Sequence, residues 1–156
     1  MSQQVDHFPT AEFNCKAYAA PDGVHPGTPY PDEWVADRLM PLKRILETIR
    51  FACGDQPVTI LCGYRTVDFN AELRRRGLKG ERHATGVALH SQHTEGRAAD
   101  ITIFGLETIN LLRTILDLRE AGRLPNLGGV GYYRTLGFVH VDTFQDPSGN
   151  LRRWNS

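Results

Sequence analysis

The 156-residue chain is poor in the features that announce a special environment. No apolar run approaches the ~18 residues that a helical membrane span requires, so no membrane insertion is expected. Lys plus Arg equals Asp plus Glu at 18 each, and without a net field no nucleic acid is expected as a partner. Cysteine is scarce. Cys15, Cys53 and Cys62 form no Cys-x-x-Cys pair, and their odd number leaves at least one without an intramolecular partner, so free and mostly buried thiols are expected. Internal repeats and low-complexity segments are absent, which excludes a solenoid or a disordered linker protein. The opening ten residues are polar and lack the basic and apolar regions of a secretory signal.

What is present is the composition of a single domain able to bury one sizeable core. Residues 1 to 30 read as an irregular arm, because Pro21, Asp22-Gly23, Pro26-Gly27 and Pro29 interrupt them too often for a long element. Phe8, Phe13 and Tyr18 are placed to pin this arm across the domain, and His7 and His25 read as surface side chains. Residues 31 to 156 form the domain proper. Trp34, Val35, Leu39, Leu42, Ile45, Leu46 and Ile49 recur at helical spacing, with Pro41 expected to kink or split the helix. Val58 to Cys62 reads as a short buried strand, and a helix from Val67 to Arg76 follows, capped by Thr66 or Asp68. A strand around Ala98 to Phe104, an amphipathic helix from Leu106 to Leu118, a glycine-rich strand from Gly128 to Tyr133 and a strand from Gly137 to Asp142 complete the pattern. No Lys-Ser/Thr and no helix follow the glycines, so they make no phosphate loop. The expected fold is α+β, a central and mostly antiparallel sheet flanked by two or three helices.

Two stretches carry chemistry. Ser91-Gln92-His93-Thr94-Glu95-Gly96-Arg97-Ala98-Ala99-Asp100 reads as a loop feeding a buried strand, with an imidazole in the loop and a carboxylate where the strand starts. Phe138-Val139-His140-Val141-Asp142 adds a second imidazole among apolar neighbours. Two His and one carboxylate leave a tetrahedral zinc ion one open position. Singly, His140 also reads as a hydrogen-bonded core residue and Asp100 as a cap. Together, Ser-x-His-x-x-Gly-x-Ala-x-Asp followed by Gly-Val-Gly-Tyr-Tyr and Phe-Val-His-Val-Asp resembles the D-alanyl-D-alanine carboxypeptidase and murein endopeptidase family of zinc peptidases. That family shares its fold and zinc site with the lysostaphin and hedgehog-like superfamily. Cys62-Gly63-Tyr64-Arg65-Thr66 is similar to its Ser-Gly-Tyr-Arg-Ser/Thr motif, with Cys62 in place of the usual Ser, a small-for-small change read as packing. The Phe-Val-His-Val-Asp-Thr ending near Trp154 is similar to the single-domain murein endopeptidase branch. The resemblance runs from Pro31 to Trp154, with residues 144 to 151 as an insertion.

The resemblance implies a hedgehog/DD-peptidase-like domain with Zn2+ held by His93, Asp100 and His140. It implies Arg65 as a catalytic residue that contacts the scissile carbonyl or a substrate carboxylate, with Asn70, Ser91 and Tyr132 as further substrate-binding candidates. Relatives place a Glu, Asp or His two or three residues before the last ligand as general base, where this chain has Gly137 and Phe138. Asp142 is the substitute, leaving the strand on the same face as His140; it reads equally as a partner that orients a ligand imidazole. Ser91 either supports the metal loop or turns the chain. His90 lies near the motif without matching it. Arg74, Arg75, Arg76, Lys79 and Arg82 form either a solvated helix end or a platform for an anionic polymer. The expected function is hydrolysis of peptide bonds in peptidoglycan, in a stem peptide or cross-link, of D,D- or L,D-type, as endopeptidase or carboxypeptidase. The rivals are a zinc-containing binding module without turnover and an amidase or carboxypeptidase of small peptides. The expected partner is a peptidoglycan peptide at the bacterial cell wall, periplasmic or extracellular, with delivery by a phage or a tail-like particle suggested by the polar start.

Overall fold

The structure is a computed structural model that describes residues 5–156; the first four residues of the expected irregular arm lie outside the described residues. The arm is less irregular than its prolines suggest. A 3-10 turn at Thr10–Phe13 is followed by a small hairpin of β1 (Tyr18–Ala20) and β2 (Gly23–His25), turning at Pro21-Asp22. Phe8 and Phe13 are buried in the main core, whereas Tyr18 stacks between His25 at 4.7 Å and Phe69 at 4.5 Å. Asp6 and His7 bind Lys43 and Glu47 on the first helix, so ion pairs as well as aromatic anchors hold the arm down.

That helix, α1 (Met40–Ala52), starts later than its apolar spacing suggests. Asp32–Trp34 is a 3-10 turn and Val35–Leu39 a π turn. Pro41 has no N–H to return to the preceding turn, so regular α geometry begins around it, where the missing donor costs nothing. Leu42, Ile45, Leu46 and Ile49 then face the core at i, i+3, i+4 and i+7. The next helix, α2 (Val67–Leu78), opens on Thr66, whose Oγ1 accepts the Phe69 N–H at 3.1 Å. The third, α3 (Thr108–Glu120), buries Leu111, Leu112, Ile115 and Leu118 against α1 and the sheet.

The sheet has five strands in the order β3 (Val58–Cys62), β4 (Ala98–Ile103), β6 (Phe138–Asp142), β5 (Gly129–Tyr133) and β7 (Arg152–Asn155). All pairs are antiparallel except β5 with β7, which the tail forms as a parallel edge. No periodicity in the sequence marks that tail as a strand. Period-2 alternation then sorts the faces. Ala99, Ile101 and Ile103 of β4, Val139 and Val141 of β6, and Val130 of β5 belong to the hydrophobic core. Asp100, His140, Asp142 and Tyr133 project from the opposite face, where they line a cleft.

Two rows cross that second face. In the first, Cys62 pairs with Asp100, Asp100 with His140, His140 with Gly131, and Gly131 with Trp154. In the second, Ala98 pairs with Asp142, Asp142 with Gly129, and Gly129 with Arg152. Gly129 and Gly131 are required for closeness. A Cβ on Gly131 would stand 2.5 Å from the Trp154 ring, and one on Gly129 would stand 2.4 Å from Asp142 Oδ2. The glycine-rich strand is therefore a floor over which Trp154 and Arg152 reach the residues of β6.

Candidate metal centre

His93 arrives from a loop, and the loop is braced from three sides. Tyr30 donates its hydroxyl hydrogen to Gly96 O at 2.6 Å, and Arg38 donates to Glu95 O at 2.8 Å while lying over the Trp34 ring. Gly96 has a φ of 66°, and a Cβ there would stand 2.8 Å from both Trp34 and Tyr30 Oη. Ser91 serves the turn: its Oγ accepts the His93 N–H at 3.3 Å, and its carbonyl accepts from Thr94. The Gly63-Tyr64-Arg65 turn completes the brace, because Arg65 N–H donates to His93 O at 3.0 Å and Tyr64 N–H donates to Phe13 O.

Three atoms converge on the cleft side. His93 Nε2 lies 3.2 Å from Asp100 Oδ1, His140 Nδ1 lies 3.0 Å from the same oxygen, and the two ring nitrogens are 3.2 Å apart. A tetrahedral ion with bonds of ~2.0 to 2.1 Å sets its ligand atoms roughly 3.3 Å apart, so the triangle is of metal-site size. The outer nitrogens fix the tautomers. His93 Nδ1 faces Gly63 O at 2.7 Å, and a carbonyl can only accept, so Nδ1 carries the hydrogen. His140 Nε2 faces Asp142 Oδ2 at 3.0 Å and donates likewise. Three lone-pair atoms are thereby turned toward one point, an arrangement suited to a cation. His93, Asp100 and His140 are all buried, at 3%, 8% and 6% exposure, so water offsets little of their mutual repulsion.

The titration behaviour follows from that crowding. Burial disfavours the His93 cation, but Asp100 and Cys62 outweigh it and push the imidazole up to about 10 in the metal-free protein. Burial likewise works against the Asp100 carboxylate, and the two imidazoles hold it well below the usual carboxylate range. His140 is raised against burial by its bonds to Asp100 and Asp142. A proton on His93 therefore stabilises the metal-free fold fully below its ordinary 6.5, and that contribution is lost as pH rises through about 10. A metal must displace this proton. Affinity is expected to climb with pH, and uptake at neutral pH to release protons, measurable by calorimetry in buffers of different ionisation enthalpy. Affinity that stays flat between about pH 6 and pH 9 would exclude this linkage.

The other expected site residues divide. Arg65 is 7% exposed and lines the cleft beside the triangle. Asn70 does not line it: its Oδ1 accepts from Arg65 Nη1 at 3.1 Å and its amide donates to Ala88 O at 2.9 Å, so that it braces the arginine. Tyr132 does not line the cleft either. Alternation turns it away from the cleft and against the core, and Tyr133 lines the cleft in its place, accepting from Trp154 Nε1 at 3.1 Å. Burial and the Asp100 charge raise the Tyr133 hydroxyl, so it stays a donor at neutral pH. Asp142 is wholly buried, and its oxygens are engaged by His140, by the Phe144 N–H and by Arg152. His90 lines the cleft without joining the triangle. In the basic run, Arg75 and Arg76 are occupied by Glu72. The residue missed is Cys62, whose sulfur lies within 4.8 Å of the ligand atoms of His93 and Asp100.

Residues 33–154 match the family described as peptidoglycan L,D-endopeptidase MepK. The chain belongs to that family. The MepK endopeptidase of Escherichia coli is 37% identical over 123 residues, 79% of this chain and 54% of the relative. That of Shigella flexneri gives the same figures, and the probable MepK of Haemophilus influenzae is 37% identical over 97 residues, 62% of this chain and 42% of the relative. The chain spans about half the length of the curated relatives it matches. No solved structure matches it. In this MepK family member the two sheet rows and the braced loop lie within the matched residues. The cleft around them has a volume of about 920 Å³ and is open to solvent. No helix among the described residues is long and apolar enough to cross a membrane.

Proposed function

We propose that the chain is a zinc peptidase that hydrolyses a bond between an L- and a D-configured centre in peptidoglycan, with His93, Asp100 and His140 as ligands. The convergence of three lone-pair atoms at 3.0 to 3.2 Å, each imidazole fixed by an outer acceptor, carries the reading. Zinc held by two imidazoles and one carboxylate supplies an acidified water and polarises the scissile carbonyl. Arg65 adds a buried guanidinium where the tetrahedral oxygen gathers charge, and Asn70 sets its plane. Tyr133, held protonated, offers a hydrogen bond to the peptide from the β5 side. The cell wall is the place of action in this reading, and the open cleft suits a polymer strand better than a small closed pocket would.

Asp142 is assigned to orienting His140, because both its oxygens are turned to partners other than the cleft centre. Asp142→Asn is expected to weaken metal binding 10- to 100-fold and to recover hydrolysis at saturating metal. If hydrolysis stays lost at full occupancy, Asp142 is the proton acceptor instead. The parent experiment is digestion of purified peptidoglycan with metal-loaded protein and mass identification of the fragments. Cleavage at an L,D bond within a cross-link or stem supports the reading. Release of single terminal residues marks a carboxypeptidase, and no release from a metal-bound protein returns the inactive binding module.

A further inference from the structure

We propose that Cys62 is a fourth ligand of the metal, its sulfur closing the position that two imidazoles and a carboxylate leave open. The inference rests on the reading of His93, Asp100 and His140 as a metal site and says what that site does at rest.

Strand geometry makes the case. Val58 and Ile60 of β3 face the core, and simple alternation would send Cys62 after them. A bulge between Ile60 and Cys62 absorbs Leu61 and brings Cys62 into direct register with Asp100. The sulfur therefore leaves the sheet on the cleft side, on the same row as Asp100 and His140. It lies within 4.8 Å of the ligand atoms of His93 and Asp100.

The contacts of the sulfur are Gly63 O at 3.8 Å and Arg65 Nη2 at 3.8 Å, both at the outer limit even for sulfur. One side-chain torsion governs the sulfur, which a bond of ~2.3 Å to the ion would fix. On coordination the thiol proton passes to solvent and a sulfur–metal bond forms, with no change of oxidation state. Arg65 stands beside the sulfur to balance the added negative charge. The bulge is what converts a packing position into a ligand position.

The consequence is a site with two states. With the thiolate bound, the four protein ligands exclude solvent from the metal, as structural zinc sites do. Cys62 must then leave the metal before a water can bind there and hydrolysis proceed, and Cys62→Ser lacks the thiolate that closes the position.

Cobalt(II) substitution tests this without any assay of hydrolysis. The wild type is expected to show intense tetrahedral d–d bands together with a near-ultraviolet thiolate-to-cobalt charge-transfer band. Cys62→Ser should keep the d–d bands, lose the charge-transfer band and bind the ion at least about tenfold more weakly. Cys15 and Cys53 remain in both proteins, so the difference spectrum belongs to Cys62. Tetrahedral d–d bands with no charge-transfer band in the wild type overturn the proposal and leave the three-ligand site standing. Absence of tetrahedral cobalt from the folded wild type overturns both.

Discussion

His93→Ala is expected to purify without stoichiometric metal and to release no fragments from peptidoglycan, a loss on the order of 10³-fold or more when several kcal/mol of metal-derived stabilisation disappear. The substitution removes one corner of the triangle and also the ring that binds Gly63 O at 2.7 Å. The backbone strap from Arg65 N–H to His93 O survives, as does the Tyr30 bond to Gly96, so the loop keeps its course. Folding and metal binding can therefore be separated. Thermal melting with and without added zinc should show a metal-dependent rise in the wild type and none in the variant. Retention of both zinc and hydrolysis by His93→Ala would remove this residue from the ligand set and with it the proposed site.

Two corners of the triangle were legible because they sit in regular settings. Asp100 and His140 each lie on a strand whose apolar neighbours alternate cleanly, and register makes them direct partners. Helix spacing likewise gave the core faces of α1 and α3. What could not be read were the departures from regularity. Cys62 follows Val58 and Ile60 in the sequence, and only the bulge at Leu61 turns it to the cleft. Tyr132 and Tyr133 are chemically alike, so the choice rests on the phase of β5, which is set by its pairing of Gly131 with His140. A stricter use of alternation from His140 across to β5 would have found Tyr133.

The tail and the arm were opaque for another reason. The parallel pairing of β7 with β5 depends on Gly129 and Gly131 leaving room for Arg152 and Trp154, a fit between distant segments with no local signature. The same fit bears on the role proposed for Asp142. The sequence leaves it equally a base or an orienting partner, and the choice turns on the Phe144 N–H, at the start of the segment expected to be an insertion, and on Arg152, just beyond that segment.

Arg65→Lys is the second large effect, a fall in kcat on the order of 10² to 10³ with metal content unchanged. Lysine keeps the charge, so any deficit measures what the guanidinium plane provides. In the parent that plane is held by Asn70 Oδ1 at 3.1 Å on one side and stands beside Cys62 on the other, and the side chain is 7% exposed. A lysine has no fork to share between Asn70 and a substrate oxygen. The split between kinetic constants identifies the oxygen. If Arg65 stabilises the charge that develops on the scissile carbonyl, kcat falls and KM holds, because the interaction exists only in the transition state. A rise in KM with kcat intact would place the guanidinium on a substrate carboxylate already present in the ground state. Its position beside the metal triangle favours the first outcome. Asn70→Ala should move the same constant in the same direction by a smaller factor, since it frees the arginine without removing it. An Arg65→Lys protein with unchanged kcat and KM would deny Arg65 either role.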